Sequence, residues 1–223
     1  MMYFESVVGA ALMGLSNASA SNRAMILAAF AIVSAILSNF AWYDGILWIP
    51  RLVIWDVPLL PGLFFGTVMA LATWLWVSRR IFAIAAILLS TVLAWLAAGI
   101  TAEYALTSIL KMLQEIASPG KDIPPINLLF AVCGVLGGLV GSATPTFALS
   151  LVCKEFGAFE NWARIVMPGT ALGVLLELAA KDDKFPMHIG STLPLFVAWQ
   201  VAVAAIIGYC IVPRTGDCKP VPQ

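Results

Sequence analysis

Six long apolar stretches dominate the sequence, at about 24–42, 59–78, 81–102, 127–152, 162–180 and 191–212, with charged or turn-forming residues between them. Each reaches the ~20 residues a helix needs to cross ~30 Å of hydrocarbon. Within lipid every backbone amide and carbonyl must find its partner inside the protein, which helices and closed barrels alone achieve. Alternating strand-like segments are scarce, so the expected fold is an all-α integral membrane bundle in a single domain, 1–223. It comprises about six transmembrane helices plus a short N-terminal segment. Composition agrees: 61% of residues are hydrophobic and 11% charged, whereas soluble domains carry roughly 25% charged residues. A surface built from this set would expose aggregating apolar patches in water. Twelve basic and twelve acidic residues cancel without a basic block, which leaves no footprint for a nucleic-acid backbone. The expected partners are the lipid bilayer and either further copies of this chain or other membrane subunits.

The run Val7 to Leu15, followed by Ala18-Ser19-Ala20, has the outline of a signal peptide, but the only charge before Arg23 is Glu5. It lacks the basic n-region of such a peptide and is short for a span, so it reads as an interfacial helix. The cysteines Cys133, Cys153, Cys210 and Cys218 match no redox, zinc or haem spacing.

With six spans, Arg23, Arg79, Arg80, Lys154, Arg164, Arg214 and Lys219 fall on one side, against Arg51, Lys111, Lys121, Lys181 and Lys184 on the other. The first set, with Arg79-Arg80 in a tight turn, marks the cytoplasmic side and places both termini there. Four acids fall on that side and eight opposite, so a formal charge of zero divides into +3 and −3.

From Arg80 to Ser118 the chain has no proline and one glycine, Gly99. The third span is therefore expected to continue beyond the bilayer as one helix of up to about 39 residues and ~58 Å. Its last part is amphipathic, with Glu103, Thr107, Lys111 and Glu115 at i+4 spacing on one face.

A repeat at an offset of 107 residues pairs Trp55, Pro61, Gly62, Gly66, Leu71 and Ala72 with Trp162, Pro168, Gly169, Gly173, Leu178 and Ala179. It suggests two halves, 24–118 and 127–213. Three spans per half would invert one half relative to the other, as in many transporters. Chance resemblance among Gly-, Ala- and Leu-rich spans is the competing explanation. In the fourth span Gly134/Gly138 and Gly137/Gly141 form overlapping GxxxG faces, and Pro145 follows. These glycines point to close packing, at an oligomer interface among other places, or to a broken helix lining a path, with Pro145 kinking or breaking it.

Carboxylates within spans are functional candidates, because lipid makes them costly. Glu103 and Glu177 qualify, with Lys111 on the same polar stripe as Glu103. Glu177 has Lys181 four residues on and reads equally as a salt bridge. Asp182, Asp183 and His188 share a loop but lack a metal-binding scaffold. No hydrolase elbow or zincin motif occurs, so no catalytic or metal residue and no cofactor is assigned. The expected function is a small transporter or channel for a cation or small solute. The alternative is a non-transporting scaffold, sensor or assembly subunit.

Overall fold

The computed structural model describes residues 14–15, 17–43, 53–54, 57–77, 80–116, 126–175 and 189–211. Its six long helices are α1 (Ala20–Tyr43), α2 (Leu60–Ala72), α3 (Ile81–Ile116), α4 (Ile126–Val152), α5 (Phe159–Leu172) and α6 (Ile189–Cys210). A two-residue ribbon, β1 (Val53–Ile54) against β2 (Val57–Pro58), precedes α2. Each helix packs against the next in sequence, and α6 closes the ring by packing along α1. Neighbours run in opposite directions. On α3 and α4, for example, Gly137 and Gly141 both lie against Ala98, and Gly137 also approaches Ala102. The two ends are called here the N-terminal end, where α1 begins, and the far end.

Five helical stretches are long and apolar enough to cross a membrane: Ala20–Ala41, Leu60–Val77, Ile81–Met112, Leu128–Val152 and Thr192–Cys210. Helix α5 is the exception among the described residues. It is 14 residues long with Glu160 in its first turn, and a 3-10 turn (Gly173–Leu175) extends it toward the far end. The fifth apolar stretch of the sequence continues past residue 175, outside the described residues. As the proline-free run implied, α3 is one helix of 36 residues, about 54 Å at 1.5 Å per residue.

Pro61 sits in the first turn of α2, where its fixed φ suits helix entry and its missing N–H leaves nothing unpaired. Pro145 does not break α4, which runs continuously through it. Hydroxyls beside it bond back within the helix, Thr144 to the Val140 carbonyl at 2.9 Å and Thr146 to the Ser142 carbonyl at 2.6 Å, flanking the Gly141 carbonyl that the proline leaves without its i+4 donor.

The last turn of α2 widens into a π-helix, Thr73–Val77. It turns Trp76 inward, only 3% exposed, with its indole N–H donating to the Leu15 carbonyl at 2.8 Å. Trp76 is therefore a core residue rather than the interfacial belt residue its place beside Arg79 implies. Trp74, 37% exposed, faces outward.

The core lies in the N-terminal half. Phe65, Met69, Ile87, Leu149, Ile165, Val203 and Ile207 pack there with almost no exposure, joined by Phe156 from the turn after α4. Arg23 closes this end. It is buried, and its guanidinium donates to the Gly208, Ile211 and Ala18 carbonyls. The first two are carbonyls at the C-terminal end of α6, so a side chain of α1 caps the neighbouring helix. Cys153, just past α4, is buried with its thiol 2.9 Å from the Glu155 carboxylate. Burial first, then the Glu155 carboxylate, pushes that thiol up to about 12.

Candidate functional site

Glycine creates the closest helix approaches. A Cβ on Gly138 would lie 2.5 Å from the Gly169 carbonyl oxygen, and one on Gly173 would overlap the Gly134 carbonyl. The α4–α5 seam is thus backbone against backbone. Gly137 and Gly141 take up the other side of α4, against Ala98 and Ala102 of α3 and the Trp199 ring of α6. Both GxxxG faces are filled inside the chain.

Close approach at these points leaves a space beside them. A cavity of about 370 Å³ occupies the far half of the ring, at the low end of the ~300–1,000 Å³ typical of small-molecule sites. One wall is the glycine face of α4, with Phe130 and Cys133; α3 supplies Trp95, Ala98, Gly99, Ala102, Glu103 and Leu106. Helix α6 contributes Thr192, Leu195, Phe196 and Trp199, and Gly173 completes the wall from α5. The ribbon seals one flank: Val57 lies against Gly99, where no side chain would fit, and the Trp95 indole donates to the Pro58 carbonyl at 2.7 Å.

Two aromatic pairs organise the lining. Trp95 and Phe196 stack at 5.5 Å and 29°, across from α3 to α6. Trp199 is tilted against Phe65 at 5.4 Å, and its indole nitrogen is buried with no hydrogen-bond partner among the described residues. Apart from Glu103, the Thr192 hydroxyl, the Cys133 thiol and the two indoles, the described lining side chains are apolar.

Glu103 is exposed and borders the cavity, the one charged residue to do so among the described residues. Lys111, two turns further along α3, is exposed and does not line the cavity. Glu177, Lys181, Asp182, Asp183 and His188 lie outside the described residues. Among the described residues no three His, Cys, Asp or Glu side chains gather to hold a metal. Of the Pro-Gly elements, Gly62 and Gly66 pack on α3, against Trp95, Leu88 and Thr91, and do not themselves line the cavity. Gly169 packs on Ser142 of α4 with the Trp199 indole nitrogen nearby, and Pro168 is interior to α5.

A buried polar ladder between α1 and α6 is the feature the sequence reading missed. Ser34 donates to Gln200 Oε1 at 2.7 Å, Gln200 Nε2 donates to Ser38 Oγ at 3.0 Å, and Thr192 donates to Asn39 Oδ1 at 2.7 Å. All five side chains are at most 4% exposed. Gln200 is the ninth residue of the 19-residue span Thr192–Cys210, so it lies near the middle of its span. The signal was available: Ser34 and Ser38 are one turn apart, and Thr192 and Gln200 are two turns apart, so each pair shares a helix face. Thr192 belongs to both ladder and cavity wall.

Compared with known protein families, curated proteins and solved structures, the chain matches none.

Proposed function

We propose that the chain is a small multi-pass membrane carrier that holds its solute in the far-end cavity. One asymmetry carries this reading: the far half of the ring contains a cavity of about 370 Å³, while the N-terminal half is filled by packed side chains. Alternating access calls for such a state, with a site in one half and closure in the other.

The direction of the helices supports six crossings. Helix α5 packs antiparallel to both α4 and α6, so the chain must return to the far end between Val152 and Ile189. An even number of crossings puts both termini on one side, and Arg79-Arg80 favours the cytoplasm for it. The cavity then belongs to the non-cytoplasmic half. An inverted relation between 24–118 and 127–213 fits the alternating helix directions, while the Pro-Gly pairs take different places, Pro61 in the first turn of α2 and Pro168 as the tenth residue of α5.

Of a cation and a small solute, the lining favours an organic solute. A bare inorganic cation would lose its hydration shell with too few oxygens to replace it. A lone carboxylate in an apolar lining suits binding and release better than acid–base chemistry. The competing reading, an assembly subunit, would suit spans with few polar groups at mid-depth, and the Gln200 ladder places polar groups there.

The test is side-specific labelling of Ala102→Cys in proteoliposomes of known orientation with a membrane-impermeant thiol reagent. Labelling from the far-end side is expected, with slower labelling from the N-terminal side as the carrier reorients. Equal protection from both sides would count against a solute-accessible site.

A further inference from the structure

We infer that the ligand of this cavity is an amphipathic organic cation, an apolar and preferably aromatic body carrying one positive charge. The inference rests on the carrier reading and names the ligand class of the same cavity. Three observations converge on it.

The first is the body of the lining: the stacked Trp95–Phe196 pair and the ring of Trp199, with glycine and aliphatic surface between them. Such a wall replaces lipid contact for an apolar body, and ring faces attract cations through their quadrupoles.

The second is the charge. Glu103 borders the cavity, and among the described residues no Lys or Arg does. A carboxylate inside a span is costly, and a neutral apolar ligand would be served better by leucine at that position. An anion would meet repulsion from the same group.

The third is the end of the bundle. Apart from Glu103 itself, the residues assigned to that side by the six-span topology sum to −2, which raises the local concentration of cations before they reach the cavity. The cationic group then rests at Glu103, nearest solvent, and the apolar body lies deeper between Trp95, Phe196 and Trp199.

The test uses the full chain in nanodiscs of zwitterionic phosphatidylcholine, with equilibrium dialysis corrected for protein-free discs. The probes are benzyltrimethylammonium and its neutral carbon isostere, neopentylbenzene. Wild type is expected to bind the cation at least tenfold more tightly than the isostere. Glu103→Gln should weaken the cation about tenfold and leave the isostere unchanged, while Glu103→Asp keeps most of the preference. Ala102→Phe, which fills the cavity, should abolish binding of both; if that variant does not fold, Leu195→Trp takes its place.

If the filling variants abolish binding but Glu103→Gln binds the cation like wild type, or if wild type binds both probes equally, the cavity stands and the cationic ligand class is overturned. If the filling variants bind both probes as wild type does, the cavity itself is not the site and the carrier reading falls with it.

Discussion

Substituting Gly138 with alanine places a methyl group where the α4–α5 seam has no room. The new Cβ would lie 2.5 Å from the Gly169 carbonyl oxygen and 3.3 Å from the Cα atoms of Gly173 and Thr170. A relaxed carbon–oxygen contact is about 3.3 Å, so one helix must retreat by roughly 0.8 Å. The obstacle is backbone, and no side chain can swing aside to absorb it. A gap of ~0.5–1 Å forfeits about a quarter to a half of the dispersion energy of each contact along the seam, and overpacking of this kind costs about 1–3 kcal/mol. Alanine's better helix propensity returns up to ~1 kcal/mol, so the net loss should be about 1–2 kcal/mol. Steric trapping or a reversible detergent-unfolding titration measures it. Gly157, which has open space around it and lies in a short 3-10 turn, is the internal control: Gly157→Ala should be neutral or stabilising by up to ~1 kcal/mol. A Gly138→Ala protein as stable as wild type, or a Gly157→Ala protein equally damaged, would refute the backbone-contact reasoning.

Gln200→Leu removes the centre of the α1–α6 ladder and should cost about 1 kcal/mol in the same titration, within the ~0.6–1.7 kcal/mol range of buried interhelical hydrogen bonds in membranes. Ser34→Ala should cost less, because Gln200 keeps Ser38. Arg23→Lys should be destabilised by about 2 kcal/mol in that titration, nearly as much as Arg23→Ala, because an ammonium cannot reproduce the guanidinium fork that reaches three carbonyls. Cys153 gives a pH signature. Its thiol ionises near 9 when unfolded and about 12 when folded, so its contribution to stability is complete below pH 9 and declines as pH rises toward 12. Wild type should lose stability over that range more steeply than Cys153→Ala, and maleimide should label Cys153 slowly even at pH 9.

Five of the six expected spans and the long α3 were legible because they follow from hydropathy and helix breakers, which act locally. The 36-residue helix needs only the absence of proline between Arg80 and Ser118. Of the two effects expected at Pro145, a kink or a break, the break does not occur, because a proline inside a helix removes one rung of a ladder whose other rungs remain. The glycines of α4 were recognised as a packing surface, but their partners, α5 on one face and α3 with α6 on the other, depend on the ring closing. Glu103 was singled out by its charge. Trp95, Phe196, Trp199 and Gln200 were not, because an uncharged residue in an apolar run gives no signal until the facing helix is known. The repeat stays a pattern of letters: Pro61 starts α2, whereas Pro168 is the tenth residue of α5.

Counterflow in proteoliposomes addresses the carrier reading most directly. Vesicles preloaded with unlabelled benzyltrimethylammonium are diluted into a trace of the labelled compound, and its uptake is followed over time for wild type and Ala102→Phe. Saturable, transient accumulation by wild type and none by Ala102→Phe is the expected result. Uptake no greater than in protein-free vesicles, or accumulation that the filled cavity leaves unchanged, would contradict it.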